Sequence, residues 1–529
     1  MAKKFINTKL FVVFYLMLYI GNWKEVFKMN QFYSLADEKL IDYPVDANRL
    51  HRHKEIPLLH ALKEYSEQDI AAFDVPGHKR GEGVAVLNRY FGYEVMKMDI
   101  NSLPLLDNIS NPKGVIAKAQ QLLADAYHAD AAFFITNGTT SAIHCMLMAT
   151  LTPGDKVLLP RNIHKSALNG LILCGAVPVY VETELLSKEG ITANVKVDAI
   201  ELALNQQPDI KALFLLNPTY YGFVADLEEI IKLCHQRNVL VLVDEAHGAH
   251  FPFHPDLPAS GIELGADAAC VSIHKTGGAL TQASALLVSQ KNLDLKKVQQ
   301  VINMLQSTSC SYLLMSSLDG ARQNLVLNGY DQLSKAIELS RYVRHKLNQI
   351  PGIHTIKPRG LQIERFDLTK LGINVQGLGL TGFEVYELMW KEFKIQLEMP
   401  DFNNVLAIIS LGDSLKNINR LIQAFKVLSS RYHKPQKIEP AVFAFKSAPV
   451  VMMSPREAYF SEKKLTLIDQ SIGCIAGESI LAYPPGIPIV APGEKITAEV
   501  LLVLKQLKQS GAFVTDSMDP SLTQILVIQ

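Results

Sequence analysis

From about residue 115 the chain alternates between short apolar runs and longer stretches with helical spacing. The runs are AAFFIT (131–136), KVLLP (156–160), VPVYV (177–181), KALFLL (211–216), VLVLVD (239–244), AACVSI (268–273) and SALLV (284–288). They are rich in β-branched and aromatic residues and are bounded by Gly, Pro, Asn or Asp. Runs of this kind between helices predict a sheet buried on both faces and mainly parallel, because the crossover helices cover both sides. The expected fold class is α/β.

After about residue 325 the pattern changes. A helical stretch near 329–349 leads to Pro351-Gly352, then to a second helix from Gly382 to Phe393 and the strand-like VLAIIS (405–410). A Pro-rich turn, Tyr483-Pro484-Pro485-Gly486-Ile487-Pro488, lies near the end. This reads as a smaller C-terminal α+β domain over 329–529, following a large domain over 86–328. Residues 29–85 are polar and loosely patterned, and their VPGHKRG (75–81) suits a turn or arm.

The extreme N-terminus stands apart. Lys3, Lys4 and Lys9 precede an apolar run from Leu10 to Ile20, shorter than the ~20 residues that span a bilayer. A secretory signal or anchor, an interfacial segment and upstream sequence translated from the wrong start all fit residues 1–28. The third is preferred, because Met29 opens a soluble-looking sequence. That places the protein in the cytoplasm.

Composition narrows the class of partner. At 529 residues the chain exceeds what one core supports. Its 52 basic and 52 acidic side chains cancel, so no basic field favours nucleic acid or anionic lipid, and a small molecule is the expected partner. Six scattered cysteines without CxxC spacing read as reduced thiols.

Open parallel sheets bind ligands at the carboxyl ends of their strands. After AAFFIT comes Asn137-Gly138-Thr139-Thr140-Ser141, opening a helix. Its free N–H groups and hydroxyls suit a phosphate, although threonines there also serve simply as caps. After KVLLP comes His164, which could stack on a ring, act in acid–base chemistry or be structural. After VLVLV come Asp244, Glu245, Ala246 and His247. A carboxylate ending a buried strand implies a cationic partner, and a metal ranks low because no third ligand has suitable spacing. After AACVSI come His274 and Lys275. A lysine crowded by a basic histidine should lose pKa, as a Schiff-base amine requires; a lone lysine there also reaches easily to solvent. Together these groups match the needs of pyridoxal 5'-phosphate (PLP): a phosphate anchor, a stacking partner, a carboxylate for the pyridine nitrogen and an amine for the aldehyde.

The sequence resembles the class-I Orn/Lys/Arg decarboxylases, of fold type I among PLP enzymes, from about residue 55 to about 500. The resemblance is carried by VPGHKRG (75–81), NGTTSAIHCML (137–147), PGDKVLLPRNIHKS (153–166), NPTYYG (217–222), VDEAHGAHF (243–251), SIHKTGGALTQAS (272–284), TSCSYLLMSSLDGAR (308–322) and AYPPGIPIVAPGE (482–494). It implies that Lys275 carries the cofactor, Asp244 pairs with its ring nitrogen, His164 stacks over the ring and Ala246 lies against the other face. Gly138, Thr139, Thr140, Ser272 and His274 would bind the phosphate, and Lys275 or His247 would protonate the α-carbon. Glu478 would take the distal cation of the substrate.

The chain resembles the short form without a receiver-like wing domain, closest to arginine decarboxylases of the polyamine route. A homodimer is the implied minimum. Arginine is the implied substrate, with lysine or ornithine next. A PLP aminotransferase is the alternative, with Arg322 and Arg365 as candidate clamps for a second carboxylate. A cofactor-binding regulatory homologue without turnover is the other.

Overall fold

The computed structural model describes residues 47–358, 366–433, 450–482, 487–510 and 514–529. The N-terminal extension 1–28, Arg365 and the turn residues 483–486 therefore lie outside the described residues. Two units are distinguished, Met1–His51 and Arg52–Gln529, and the second holds the fold.

Its centre is a seven-stranded sheet. The strands are β1 (Ala131–Ile135), β2 (Lys156–Pro160), β3 (Val177–Val181), β4 (Ile210–Leu216), β5 (Leu240–Asp244), β6 (Ala268–Val271) and β7 (Ser284–Val288). They lie in the order β1-β7-β6-β5-β4-β2-β3. Neighbours are parallel except at β7, which runs antiparallel to both β1 and β6.

Side chains of a strand alternate between faces, so a strand buried on both sides must be apolar at every position. Phe133 and Ile135 of β1 join one core, and Ala132 and Phe134 join the other. Val157 and Leu159 of β2 likewise oppose Leu158. Near-continuous apolar runs follow directly from this arrangement.

Sheet order also assembles the site. Asp244 ends β5 in register with Cys270 of β6, so whatever follows β6 emerges beside the carboxylate. Because β7 is reversed, its first residue, Ser284, lies opposite Ile135 at the end of β1. The turn after β1, the turn after β6 and the start of β7 thus meet at one edge.

Helices flank the sheet, among them α1 (Gly138–Thr150) and α2 (Lys165–Cys174). The long α3 (Tyr312–Leu347) has 36 residues and begins well before the expected helical stretch, so residue 328 falls inside it and not between domains. In its first half Asp319 and Arg322 form an ion pair with no exposed side-chain surface. Buried charges interrupt the apolar stripe by which a helix is read from sequence. Ser311 caps α3, its hydroxyl accepting from the Leu314 N–H.

Among the described residues, region 329–529 builds two large separate cores. One lies between the second half of α3, helix α4 (Gly382–Lys391), helix α5 (Leu415–Tyr432) and an antiparallel sheet. That sheet comprises β8 (His354–Thr355), β9 (Lys370–Asn374), β10 (Met399–Pro400) and β11 (Asn404–Ile408), in the order β8-β9-β11-β10. A reciprocal capping box between Thr381 and Glu384 starts α4. The other core gathers Ile480, Val490, Leu504, Ile525 and Val527 around helix α6 (Ala498–Ser510). Among the described residues no helix is long and apolar enough to cross a membrane.

Candidate active site

Lys275 lies in a four-residue helix, Ile273–Thr276, directly after β6. Its Nζ is 2.9 Å from Nε2 of His247, in the turn after β5. Burial pushes the Lys275 ammonium below its ordinary pKa; the charges of Asp244 and Glu398 oppose this and that of Lys370 adds to it. His247 is 1% exposed, and burial, reinforced by the Lys275 charge, holds its imidazole well below the usual histidine range. Its ring centroid is 4.8 Å from that of Tyr220, and its Nδ1 has no hydrogen-bond partner among the described residues. A neutral His247 can therefore exchange a proton with Lys275 through Nε2.

Asp244 is buried, and its Oδ1 accepts the Ala246 N–H at 3.0 Å. Burial pushes its carboxyl upward, against the Ala246 N–H and the Lys275 charge. Among the described residues no cation is in ion-pair contact with it. A buried carboxylate in that position is stabilised by a cationic N–H donor brought in with a ligand.

His164 caps α2. Its Nδ1 accepts the Ser166 N–H at 3.2 Å and lies 2.7 Å from the Ser166 hydroxyl, which leaves Nε2 to carry the hydrogen. Burial first, then the Lys275 charge, lowers its pKa to about 4. The ring is thus neutral and fixed at neutral pH, which suits stacking better than proton transfer.

The expected phosphate cup divides into two parts. Gly138 opens α1 at φ 75°, and a Cβ there would meet nothing closer than Gln282 Cγ at 3.9 Å, so the helix start faces open space. Asn137 makes no side-chain cap, which leaves the first N–H groups of α1 to a ligand. Thr140 is exposed beside them. Thr139 is buried, its hydroxyl bonded to those of Ser272 and Ser284; the Ser284 contact is 2.9 Å. It ties the three edges of the cup together. His274 turns its Nδ1 to the Ala283 carbonyl at 3.0 Å.

Glu478 does not join this group. Its carboxylate accepts the Met518 N–H at 2.6 Å and the Leu526 N–H at 2.7 Å, within the C-terminal core region. Arg322 is equally committed: besides Asp319 it donates to the carbonyls of His53 and Glu55, at 2.9 and 2.6 Å. It offers no clamp for a second carboxylate.

A decarboxylase family model for the Orn/Lys/Arg major domain matches residues 56–372, and that for the Orn/Lys/Arg C-terminal domain matches 440–516. The chain belongs to the Orn/Lys/Arg decarboxylase family. It is 38% identical to an arginine decarboxylase of Halalkalibacterium halodurans, over 90% of this chain and 98% of the relative. To an arginine decarboxylase of Bacillus subtilis it is 37% identical, again over 90% and 98% of the two chains. Among solved structures it is similar to lysine decarboxylase A from Pseudomonas aeruginosa, with a TM-score of 0.79 and 20% identity, covering 89% of this chain and 80% of that one. The fold and the enzyme class, a decarboxylase, follow from this membership.

Several residues around the family's expected site were not singled out from sequence. Tyr220 packs on His247, although its motif NPTYYG was noted. Lys370 of β9 is fully buried, 3.7 Å from Asp367, and Asp367 is 3.2 Å from His250. Burial pushes the Asp367 carboxyl up, but His250 and Lys370 reverse this and leave it below the usual carboxylate range. Glu398, just before β10, has an exposed side chain whose charge reaches both lysines. Lys370 opens β9, Asp367 lies just ahead of it and Glu398 just ahead of β10, none of them in a motif singled out above.

Proposed function

We propose that this chain holds PLP on Lys275 and decarboxylates a basic amino acid, arginine before lysine or ornithine. The observation carrying this reading is Lys275 Nζ at 2.9 Å from His247 Nε2, beside a buried Asp244 that has no ion-pair partner among the described residues. The residues present fit the cofactor. Asp244 would hold the ring nitrogen, His164 and Ala246 the two ring faces, and the start of α1 with Thr140 and Ser272 the phosphate. Thr139 and His274 brace that cup. When bound, the cofactor supplies an electron sink for the pair released as carbon dioxide leaves.

The protein's own contribution is placement and proton control. Lowered pKa values keep Lys275 able to act as a free amine and His247 neutral. Lys275 and His247 share the proton delivered to the α-carbon after the carboxylate departs. Asp244 stays anionic once its ring-nitrogen partner is present. The choice of arginine rests on the two arginine decarboxylase relatives, which match nearly their whole length. Agmatine, a polyamine precursor, would be the product. The N-terminal extension apart, the cytoplasm is the proposed location.

A homodimer is proposed as the working form, because large apolar side chains crowd one exposed stretch. Phe73, Tyr90, Phe91 and Leu105 are 95%, 79%, 62% and 78% exposed. Such a patch is covered in a stable assembly, here by a second copy of the chain.

The deciding experiment incubates purified holoprotein with arginine, lysine and ornithine separately and identifies the amine formed. Arginine should give agmatine and carbon dioxide; Lys275→Ala should give neither and lose the absorbance of the bound cofactor. A Lys275→Ala protein that still turns over would refute the assignment.

A further inference from the structure

A carboxylate that must meet a ring nitrogen has to be held in one orientation, and the Asp244 oxygens are not equivalent. Oδ1 faces two donors, the Ala246 N–H at 3.0 Å and the Cys270 thiol, whose Sγ lies 3.8 Å away. Among the described residues no hydrogen bond reaches Oδ2. We propose that Cys270 is a positioning residue for the cofactor: its thiol helps hold Oδ1 so that Oδ2 is left to receive the pyridine nitrogen. The assignment rests on the reading of Lys275 and Asp244 given above, and deepens it with a residue that sequence marks only as a reduced thiol.

The sheet places the contact. Asp244 and Cys270 are register partners on β5 and β6, so their side chains leave the sheet side by side on one face. The backbone around both is pinned. The Asn217 N–H donates to the Asp244 carbonyl and the Glu245 N–H to the Cys270 carbonyl, each at 2.9 Å. What freedom Asp244 keeps is rotation of its side chain, and the two donors on Oδ1 restrict that. The Cys174 and Cys310 thiols, by contrast, turn back to carbonyls three residues earlier, those of Leu171 and Ser307. Cys270 reaches across to a carboxylate on the next strand.

The chemistry of the pair is consistent. Cys270 is fully buried, packed with Leu242, Ala268 and Leu286. Burial, and then the Asp244 charge, push its thiol well above the usual cysteine range, so it stays protonated and donates. A donor on Oδ1 favours the ionised carboxylate, against the burial that opposes it, and the ionised form is the one a cationic ring nitrogen requires.

The test measures the PLP affinity of the full chain, freed of cofactor and titrated with PLP by absorbance. Cys270→Ala should weaken binding about 3- to 10-fold, the scale of one lost hydrogen bond. Cys270→Ser, which keeps a donor, should stay close to wild type. Cys270→Val, which fills the volume without a donor, carries the same comparison should the alanine variant fail to fold. The effect should act through the carboxylate: in an Asp244→Asn background, Cys270→Ala should change PLP affinity little. KM for arginine should be the same in wild type and Cys270→Ala, because the thiol touches no part of the substrate.

Equal PLP affinity in wild type, Cys270→Ala and Cys270→Val would overturn the proposal. So would the same loss with and without the Asp244 carboxylate, which would mark a packing effect, or a serine variant as weak as the alanine one. A wild-type chain that binds no PLP would instead sink the functional reading itself.

Discussion

Nζ of Lys275 and Nε2 of His247 stand 2.9 Å apart, joined across the ends of two adjacent parallel strands. Burial depresses the pKa of both, and the Lys275 charge further depresses His247. Both shifts favour the uncharged forms, which suits a pair that passes a proton between them. His247→Asn should keep cofactor absorbance, because Lys275 is intact. Its kcat should fall roughly 100-fold or more, the usual scale for losing a positioned acid–base group. Single-turnover kinetics with a spectrum of the bound cofactor would check both, and full activity would remove His247 from the proton path.

Asp244 gives a complementary prediction. Asp244→Asn keeps the shape at the end of β5 but removes the charge that would hold a cationic ring nitrogen. The buried site then loses its reason to retain the cofactor in its electron-accepting form. Dialysis should release cofactor faster than from wild type, and residual kcat should fall by at least about 100-fold. The PLP-free variant should be no less stable than PLP-free wild type, since burial already opposes the charge there. Chemical denaturation of the two PLP-free proteins would test that part independently of activity.

His164 makes the stability of the PLP-free protein depend on pH. Its folded pKa is about 4, below the ordinary histidine value of 6.5, so the folded state favours the neutral ring. Above pH 6.5 both states are neutral and stability does not change with pH on its account. As pH falls from 6.5 to 4, the unfolded state takes up a proton that the folded state refuses, and stability is lost progressively. The shift corresponds to about 3 kcal/mol once pH lies below 4. Urea unfolding of wild type and His164→Asn across this window should show a shallower slope in the variant. Parallel slopes would contradict the burial of this ring.

The sheet and the residues at its strand ends were legible in the sequence because both obey strong local rules. A strand covered on both faces has no room for polar residues, so all seven were readable. Groups at strand ends, such as His164, Asp244 and Lys275, inherit their placement from those strands. Glu398 and Lys370 were not readable for the opposite reason. They lie in β9 and on the approach to β10, more than 90 residues beyond Lys275, in a small sheet whose pairing order no local rule gives. Glu478 illustrates the converse: a motif locates a carboxylate along the chain, but not which N–H groups occupy its oxygens. The first half of α3 hid behind the buried Asp319–Arg322 pair.

A largely buried charge pair links the C-terminal region to the end of β2 near His164, and this gives a stability prediction free of any cofactor. Arg161, at the end of β2, faces Glu494 with both guanidinium ends, Nη2 lying 2.8 Å from Oε2. The same Nη2 donates to the Ile489 carbonyl at 3.0 Å, and Nη1 donates to the Tyr180 hydroxyl at 3.0 Å. Glu494 is 3% exposed and also accepts the Ala491 N–H at 2.9 Å. Glu494→Ala strands a largely buried guanidinium and should cost about 3–5 kcal/mol. Pairing it with Arg161→Met removes the stranded charge and should recover a large part of that loss, a coupling that only directly interacting residues display. Urea midpoints of the wild type, the two single variants and the double variant form the cycle. Strict additivity across it would mean that the two side chains do not act as a pair in solution.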